Sequence, residues 1–211
     1  MSESVNDRDL LDAHQAWSAR TSVYPGAGSR SKEATTYCAL GLAGELGEVE
    51  RAKVAWDRAL FRSRNQIETD DPTAVVAART AFVSEIGDAL FYFCRWATEI
   101  GKSAGDLWTQ GQANEIKSVS LLDALSRATE PLKKWVRGDY DAGHHGSDGC
   151  AECARDLAAE KQALGLAVVA RTLAAFMRER GIELAEALDA NRAKLERRLA
   201  EGKIRGEGSE R

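Results

Sequence analysis

Apolar residues recur every three or four positions along most of the chain, which is the spacing that amphipathic helices require. Only three prolines occur, and good helix formers such as Ala, Leu, Glu and Arg abound while β-branched residues are sparse. We therefore expect an all-α fold, a bundle of about seven helices. The predicted helices cover about residues 6–20, 33–62, 72–100, 103–116, 120–137, 150–180 and 183–199.

The two long helices of the first half have apolar stripes of different quality. The third helix carries an unbroken stripe of core residues: Val83, Ile86, Leu90, Phe93, Cys94 and Ala97. The stripe of the second helix is interrupted by small residues: Tyr37, Leu40, Ala43, Gly44, Gly47 and Val54. We expect both stripes to face the core.

Composition and charge narrow the classes of function. The chain has 211 residues, of which 44% are hydrophobic and 29% charged, and its net charge is −4 at pH 7, so we expect no nucleic-acid surface. The N-terminal residues are polar, and no apolar run approaches the roughly 18 residues of a membrane span. We therefore expect a cytoplasmic protein without membrane contact. Two of the four cysteines, Cys38 and Cys94, fall in helical apolar patterns and should be buried thiols.

Two pairs of acids lie in otherwise apolar helix segments. Glu45 and Glu48 are three residues apart, as are Glu85 and Asp88, and a glycine precedes the second acid of each pair. Residues at i and i+3 share one helix face, so two helices can present four carboxylates to one another. Such carboxylates repel each other unless a hard cation such as Mg²⁺ binds between them. The alternative is that all four are solvated surface acids.

Three glycines surround the first pair, at Gly41, Gly44 and Gly47. Each costs a helix roughly 1 kcal/mol relative to alanine. We interpret them as positions where a facing helix or a ligand approaches the backbone closely.

The second half of the chain resembles the first. Three apolar positions recur 79 residues apart, since Leu42, Leu46 and Trp56 return as Leu121, Leu125 and Trp135. We interpret this as an internal duplication, a fused pseudo-dimer, against the alternative that unrelated amphipathic helices align by chance. The predicted division is residues 1–118 for a first repeat with the metal site, 119–199 for a degenerate second repeat, and 200–211 for a flexible or extended tail. At the same offset the four acids fall on Ala124, Arg127, Leu164 and Ala167, so we expect one active site.

The motifs Leu-Gly-Leu-Ala-Gly-Glu45-x-Gly-Glu48-Val and Glu85-x-Gly-Asp88-x-Leu-x-Tyr92 resemble the MazG family of all-α nucleoside triphosphate pyrophosphohydrolases, whose relatives include the dimeric dUTPases and dCTP pyrophosphatases. Residues 21–25, 190–198 and 202–208 also resemble MazG-like proteins, although the aspartate that often follows in the family's tail is missing here. The resemblance covers about residues 15–114 well and about 186–208 moderately.

The resemblance implies hydrolysis of a (d)NTP between the α and β phosphates, giving (d)NMP and pyrophosphate, as nucleotide house-cleaning. The two acid pairs match the family's Mg²⁺ ligands, with Mn²⁺ as a substitute, and Glu45 or Glu48 is expected to orient the attacking water as a base. The implied partner is a small-molecule nucleotide. The chain is expected to be either a monomeric pseudo-dimer or a homodimer.

Candidates for substrate binding are cations, amides and aromatic rings. Lys53, one turn past Glu48, is the first cation considered, while Tyr92 and Asn114 match positions that contact nucleotide in relatives and Trp17 and Trp56 could stack a base. Further candidates come from the second half: Lys133, Lys134, Arg137, Asn191, Lys194 and Arg198. The alternatives are a solvated basic face for the cations and core packing for the tryptophans.

A second metal pattern is formed by His144, His145, Cys150 and Cys153, a compact arrangement of the tetrahedral zinc type. Only one Cys-x-x-Cys occurs and the family resemblance gives it no support, so structural zinc, a redox pair and free thiols all stay open.

Two other functions compete with the hydrolase interpretation. A di-iron carboxylate bundle uses Glu-x-x-His motifs, and none of the three histidines lies three residues after a glutamate. The remaining alternative is a non-catalytic helical protein that has kept the acids and acts as a nucleotide sensor or a regulator.

Overall fold

The computed structural model describes residues 6–65, 72–113, 119–140 and 150–204. The described residues are helical throughout their regular elements and contain no strand, which confirms the all-α prediction. The described residues form seven α-helices: α1 (Asp7–Ser18), α2 (Lys32–Arg64), α3 (Pro72–Glu99), α4 (Ala104–Ala113), α5 (Leu121–Arg137), α6 (Ala151–Glu179) and α7 (Leu184–Ala200). A short 3₁₀ turn, Ala19–Thr21, follows α1.

Most helix ends coincide with capping residues that can be read from the sequence. The side chains of Asn6 and Ser103 accept hydrogen bonds from backbone N–H groups three residues on, at 3.0 and 2.9 Å. Gly101 and Gly181, which follow α3 and α6, have the positive φ that favours glycine at a helix end. The predicted end of the fourth helix at 116 and most of the predicted tail lie outside the described residues.

Two long helical hairpins, α2 with α3 and α5 with α6, dominate the architecture. Each hairpin also receives the short helix that follows the other one, since α4 packs on α6 and α7 packs on α3. Helix α1 lies against α3 and α4. Each half of the chain therefore completes the other, as a fused pseudo-dimer would, although the duplication and its boundaries stay a prediction.

Two glycines allow these exchanged helices to come close. Gly87 of α3 lies against the backbone of α7, where a Cβ would overlap the carbonyl oxygen of Ala187. Gly111 of α4 lies against α6 in the same way, where a Cβ would overlap the carbonyl oxygen of Ala167. The glycine before Asp88 thus serves helix packing between the two halves.

The buried face of α2 differs from the prediction. Leu40 is 69% exposed, and Tyr37 and Val54 are exposed as well, so the predicted stripe of this helix is wrong. Its buried residues are instead Ala34, Thr35, Cys38, Ala39, Leu42, Leu46, Val49 and Trp56. Many of them are small, so their hydrophobic contrast is weak and the larger exposed side chains dominated the pattern. The predicted stripe of α3 and the burial of Cys38 and Cys94 are confirmed.

A buried carboxylate ties the segment before α2 to the end of α3. Glu99 is 1% exposed and accepts hydrogen bonds from the Tyr24 hydroxyl at 2.5 Å and from the backbone N–H groups of Gly28 and Arg30 at 2.7 and 3.0 Å. The guanidinium of Arg95 lies 3.9 Å away. These contacts satisfy the buried charge and hold Tyr24 in place.

Candidate metal centre

Three of the four predicted acids meet where α2 faces α3. Glu45, Glu48 and Glu85 each offer a carboxylate oxygen, and these oxygens all lie within 4.8 Å of one another. Glu45 and Glu85 are half-buried, whereas Glu48 is exposed and pairs with Arg51 at 3.3 Å. The two Glu-containing motifs therefore converge as their helical spacing predicts.

Burial and repulsion between the acids raise the pKa values of Glu45 and Glu85. Burial, followed by repulsion from Asp88, Glu48 and Glu85, raises the pKa of Glu45 to about 7, and Lys194 opposes this rise. The pKa of Glu85 is raised as well, mainly by burial and then by Asp88. Carboxylates in this state gain stability from any cation that binds between them.

The fourth acid is bound by α7 rather than grouped with the other three. Asp88 is 9% exposed, and its Oδ1 accepts a hydrogen bond from Asn191 Nδ2 at 2.7 Å. Its Oδ2 forms an ion pair with Lys194 Nζ. The structure thus brings Asn191 and Lys194, two predicted substrate ligands from the second half, to the acids of the first half.

The donor set fits a hard divalent cation. The group of Glu45, Glu48 and Glu85 offers only carboxylate oxygens, which are the ligands that Mg²⁺ prefers. This group of three contains no thiol or imidazole, the ligands that softer metals prefer. Three converging carboxylates leave room in an octahedral shell for water and for phosphate oxygens.

An aromatic row runs beside the acids. The ring of Tyr92 occupies the space that a side chain at Gly41 would fill, which accounts for that glycine. Tyr37 lies between it and Tyr24, with ring centroids 6.4 Å from Tyr92 and 4.8 Å from Tyr24. Burial raises the pKa of Tyr92, and Glu45 contributes to that rise, so this ring and the acids are neighbours.

The predicted base-stacking residue Trp17 belongs to α1, and its ring faces α7. The guanidinium of Arg192 is 5.3 Å from the centre of its ring, a cation–π contact. The neighbouring residue Asn191 contacts Asp88, so adjacent positions of α7 connect Trp17 with the acids.

His14 is a residue to which the sequence reasoning assigned no role. It is fully buried, and neither ring nitrogen has a hydrogen-bond partner among the described residues. Burial, followed by the charge of Arg192, lowers its pKa to about 4, so the ring is neutral at pH 7. Its centroid lies 5.3 Å from that of Trp17. A histidine on the apolar stripe of α1 was the available signal, but core histidines look the same in a sequence.

Several predicted ligands make contacts elsewhere. Lys53 Nζ pairs with Asp57 at 3.0 Å on its own helix. Trp56 is buried against Phe82, which favours the core-packing alternative for this residue. The basic residues of α5 form exposed ion pairs, Lys133 and Lys134 with Glu130 and Arg137 with Asp139. Arg198 is exposed near the end of α7, and Asn114 lies outside the described residues.

The structure describes the two cysteines of the predicted histidine–cysteine metal pattern. Cys150 and Cys153 are exposed free thiols at the start of α6. His144 and His145 lie outside the described residues, so the zinc site stays a prediction.

Comparisons of the chain with protein-family profiles, curated proteins and solved structures found no match. Within the part of the chain that the structure describes, no helix has the length and apolar character needed to cross a membrane.

Proposed function

We propose that the chain is a Mg²⁺-dependent nucleoside triphosphate pyrophosphohydrolase that cuts between the α and β phosphates. The observation that supports this most is the convergence of Glu45, Glu48 and Glu85, whose carboxylate oxygens lie within 4.8 Å of one another. Their motifs are the ones that resemble the MazG family. The nucleotide is proposed as a free (d)NTP, and the biological role as nucleotide house-cleaning.

Each acid has a role in this proposal. Glu45, Glu48 and Glu85 would hold the cation, with Asp88 at the edge of the group. A bound Mg²⁺ supplies positive charge against the phosphate oxygens and lowers the pKa of a coordinated water. Glu45 or Glu48 orients the water and takes its proton while the water oxygen bonds to the α-phosphorus. The bond from that phosphorus to the bridging oxygen breaks, and pyrophosphate leaves.

The second half of the chain supplies the cation for the leaving group. Lys194 is paired with Asp88, and its side chain is 23% exposed, so its ammonium can exchange one carboxylate oxygen for a phosphate oxygen. Asn191 remains as a hydrogen-bond donor to Asp88 at 2.7 Å. Trp17 of α1 contacts Arg192, the neighbour of Asn191 on α7, and suits contact with the nucleobase.

The test is a panel of single (d)NTPs, canonical and oxidised or methylated, incubated with the purified chain and Mg²⁺ while pyrophosphate and (d)NMP are measured. At least one nucleotide is expected to give both products in equal amounts, with EDTA abolishing the reaction. Release of inorganic phosphate instead would contradict cleavage between α and β. Saturable nucleotide binding without any product would replace the hydrolase with the nucleotide-sensing alternative.

A further inference from the structure

Two exposed thiols at the start of α6 take no part in the proposed hydrolysis. Cys150 is the N-cap residue of this helix, with φ −71° and ψ 109°. Its sulfur accepts a hydrogen bond from the backbone N–H of Cys153 at 3.4 Å. Both side chains are accessible to solvent, in contrast to the buried Cys38 and Cys94.

The surroundings of the two thiols differ in a way that assigns them different chemistry. The Cys150 sulfur accepts the backbone hydrogen bond from Cys153 and lies at the N-terminal end of α6, where the helix dipole stabilises a negative charge. Cys153 lies one turn further into the helix. Cys38 and Cys94 are buried and closed to solvent. Cys150 is therefore the thiol best suited to react as a thiolate.

The two positions are also compatible with a disulfide. An N-cap residue and the residue three positions later lie within one helical turn, so their Cα atoms are about 5 to 6 Å apart. Disulfides bridge Cα atoms at about 4.4 to 6.8 Å, so the bond can form without moving the backbone far.

We propose that Cys150 and Cys153 form a reversible thiol–disulfide site that reacts with low-molecular-weight disulfides of the glutathione type. The Cys150 thiolate attacks one sulfur of the small disulfide, forming a mixed disulfide and expelling one small thiolate, which takes a proton from solvent. Cys153 then loses its thiol proton and attacks the Cys150 sulfur, forming the Cys150–Cys153 disulfide and expelling the second small thiol. The cysteine pair is oxidised by two electrons and the small disulfide is reduced by two.

The experiment uses the reduced full-length chain with oxidised glutathione at pH 7, quenched with acid and mapped by peptide mass spectrometry. The wild-type chain is expected to form the Cys150–Cys153 disulfide, while Cys38 and Cys94 stay reduced as internal standards. Cys153→Ser should accumulate one glutathione on Cys150. That reaction should be at least about tenfold faster than glutathione addition to Cys153 in Cys150→Ser.

Both serine variants should fold like the wild-type chain, because serine is a good N-cap residue and both positions are exposed. Circular dichroism should be the same for the two variants. Equal rates for the two variants would contradict the assignment of Cys150 as nucleophile, and wild-type chain that carries two glutathiones without an internal disulfide would contradict the pair. A purified chain with one zinc ion, whose removal is needed before either thiol reacts, would replace the redox site with a metal site.

Discussion

The hairpins α2–α3 and α5–α6 share a packing pattern but differ in chemistry. Positions 79 residues apart keep their environment, as Trp56 and Trp135 are both buried and Glu48 and Arg127 are both exposed. The acids, however, are replaced, and Asp88 corresponds to Ala167, which is buried against Gly111 of α4. The glycines of α2 also lack counterparts, since the matching positions are Ser120, Asp123 and Ser126.

The comparison indicates that the helix packing of a hairpin does not depend on its acidic side chains. The second hairpin packs in the same way with alanine, leucine and arginine where the first has carboxylates, so the acids are not needed for packing. Burial, followed by repulsion from the neighbouring acids, instead raises the pKa of Glu45 to about 7. Residues that cost stability in one hairpin and are absent from the other are candidates for function.

The largest expected effect is on activity and separates the two hairpins directly. Glu48→Gln removes a charge from the three-carboxylate group and should lower Mg²⁺-dependent pyrophosphate release at least about 100-fold. Arg127→Gln, the matching exposed position of α5, should leave the rate within about twofold. The measurement is kcat/KM for the best nucleotide of the panel. Equal losses in both variants would remove the asymmetry between the hairpins.

The next effect is on stability and tests the exchange of helices. Gly87→Ala and Gly111→Ala each place a Cβ on a backbone carbonyl oxygen of the other half, and backbone cannot rotate away. Each should lower the free energy of unfolding by about 2 to 3 kcal/mol, measured in urea. If only one of the two variants is destabilised, the packing of α4 on α6 and of α7 on α3 is not reciprocal.

A smaller expected effect is the dependence of folding stability on pH that Glu45 produces. Its pKa is about 4.5 ordinarily and about 7 in the folded chain, so the folded state holds the extra proton between these values. Stability should therefore fall as pH rises through this range in EDTA, by about 1 to 2 kcal/mol more than in Glu45→Gln.

The comparison with Glu45→Gln is needed because His14 acts in the opposite direction. Its lowered pKa makes the folded state bind fewer protons between about pH 4 and 6.5, so its contribution rises with pH there. That contribution is common to both chains and cancels in the difference. Identical pH profiles for the two chains would show that Glu45 ionises normally.

The smallest effect concerns Gly44, which the second hairpin replaces with Asp123. A Cβ at Gly44 meets nothing within 4 Å, so Gly44→Ala should stabilise the chain by about 0.5 to 1 kcal/mol through helix propensity alone. If this glycine lets the triphosphate approach the helix, KM should rise while stability increases. Unchanged kinetics would leave Gly44 without a role in binding.

Helix positions were predictable because the chain marks them with strong local signals. The caps at Asn6 and Ser103 and the glycines after α3 and α6 act through hydrogen bonds and backbone angles that a few adjacent residues determine. The convergence of Glu45, Glu48 and Glu85 followed from i, i+3 spacing on two neighbouring helices.

What could not be predicted depends on partners distant in sequence. The buried face of α2 includes small residues, such as Ala34, Cys38 and Ala39, whose burial depends on the helix packed against them. The burial of Glu99 under Tyr24 joins residues 75 positions apart, and helical periodicity does not encode such a contact. The burial that keeps His14 neutral comes from the helices packed against α1, which are distant in sequence.

The contacts of Asp88 have a consequence for biosynthesis. Its partners Asn191 and Lys194 follow it by 103 and 106 residues and belong to α7. While the chain is being made, the first hairpin emerges from the ribosome before α7, so Asp88 at first lacks these two partners. A nascent chain that has the whole acidic motif therefore gains these contacts of Asp88 only after α7 has been released.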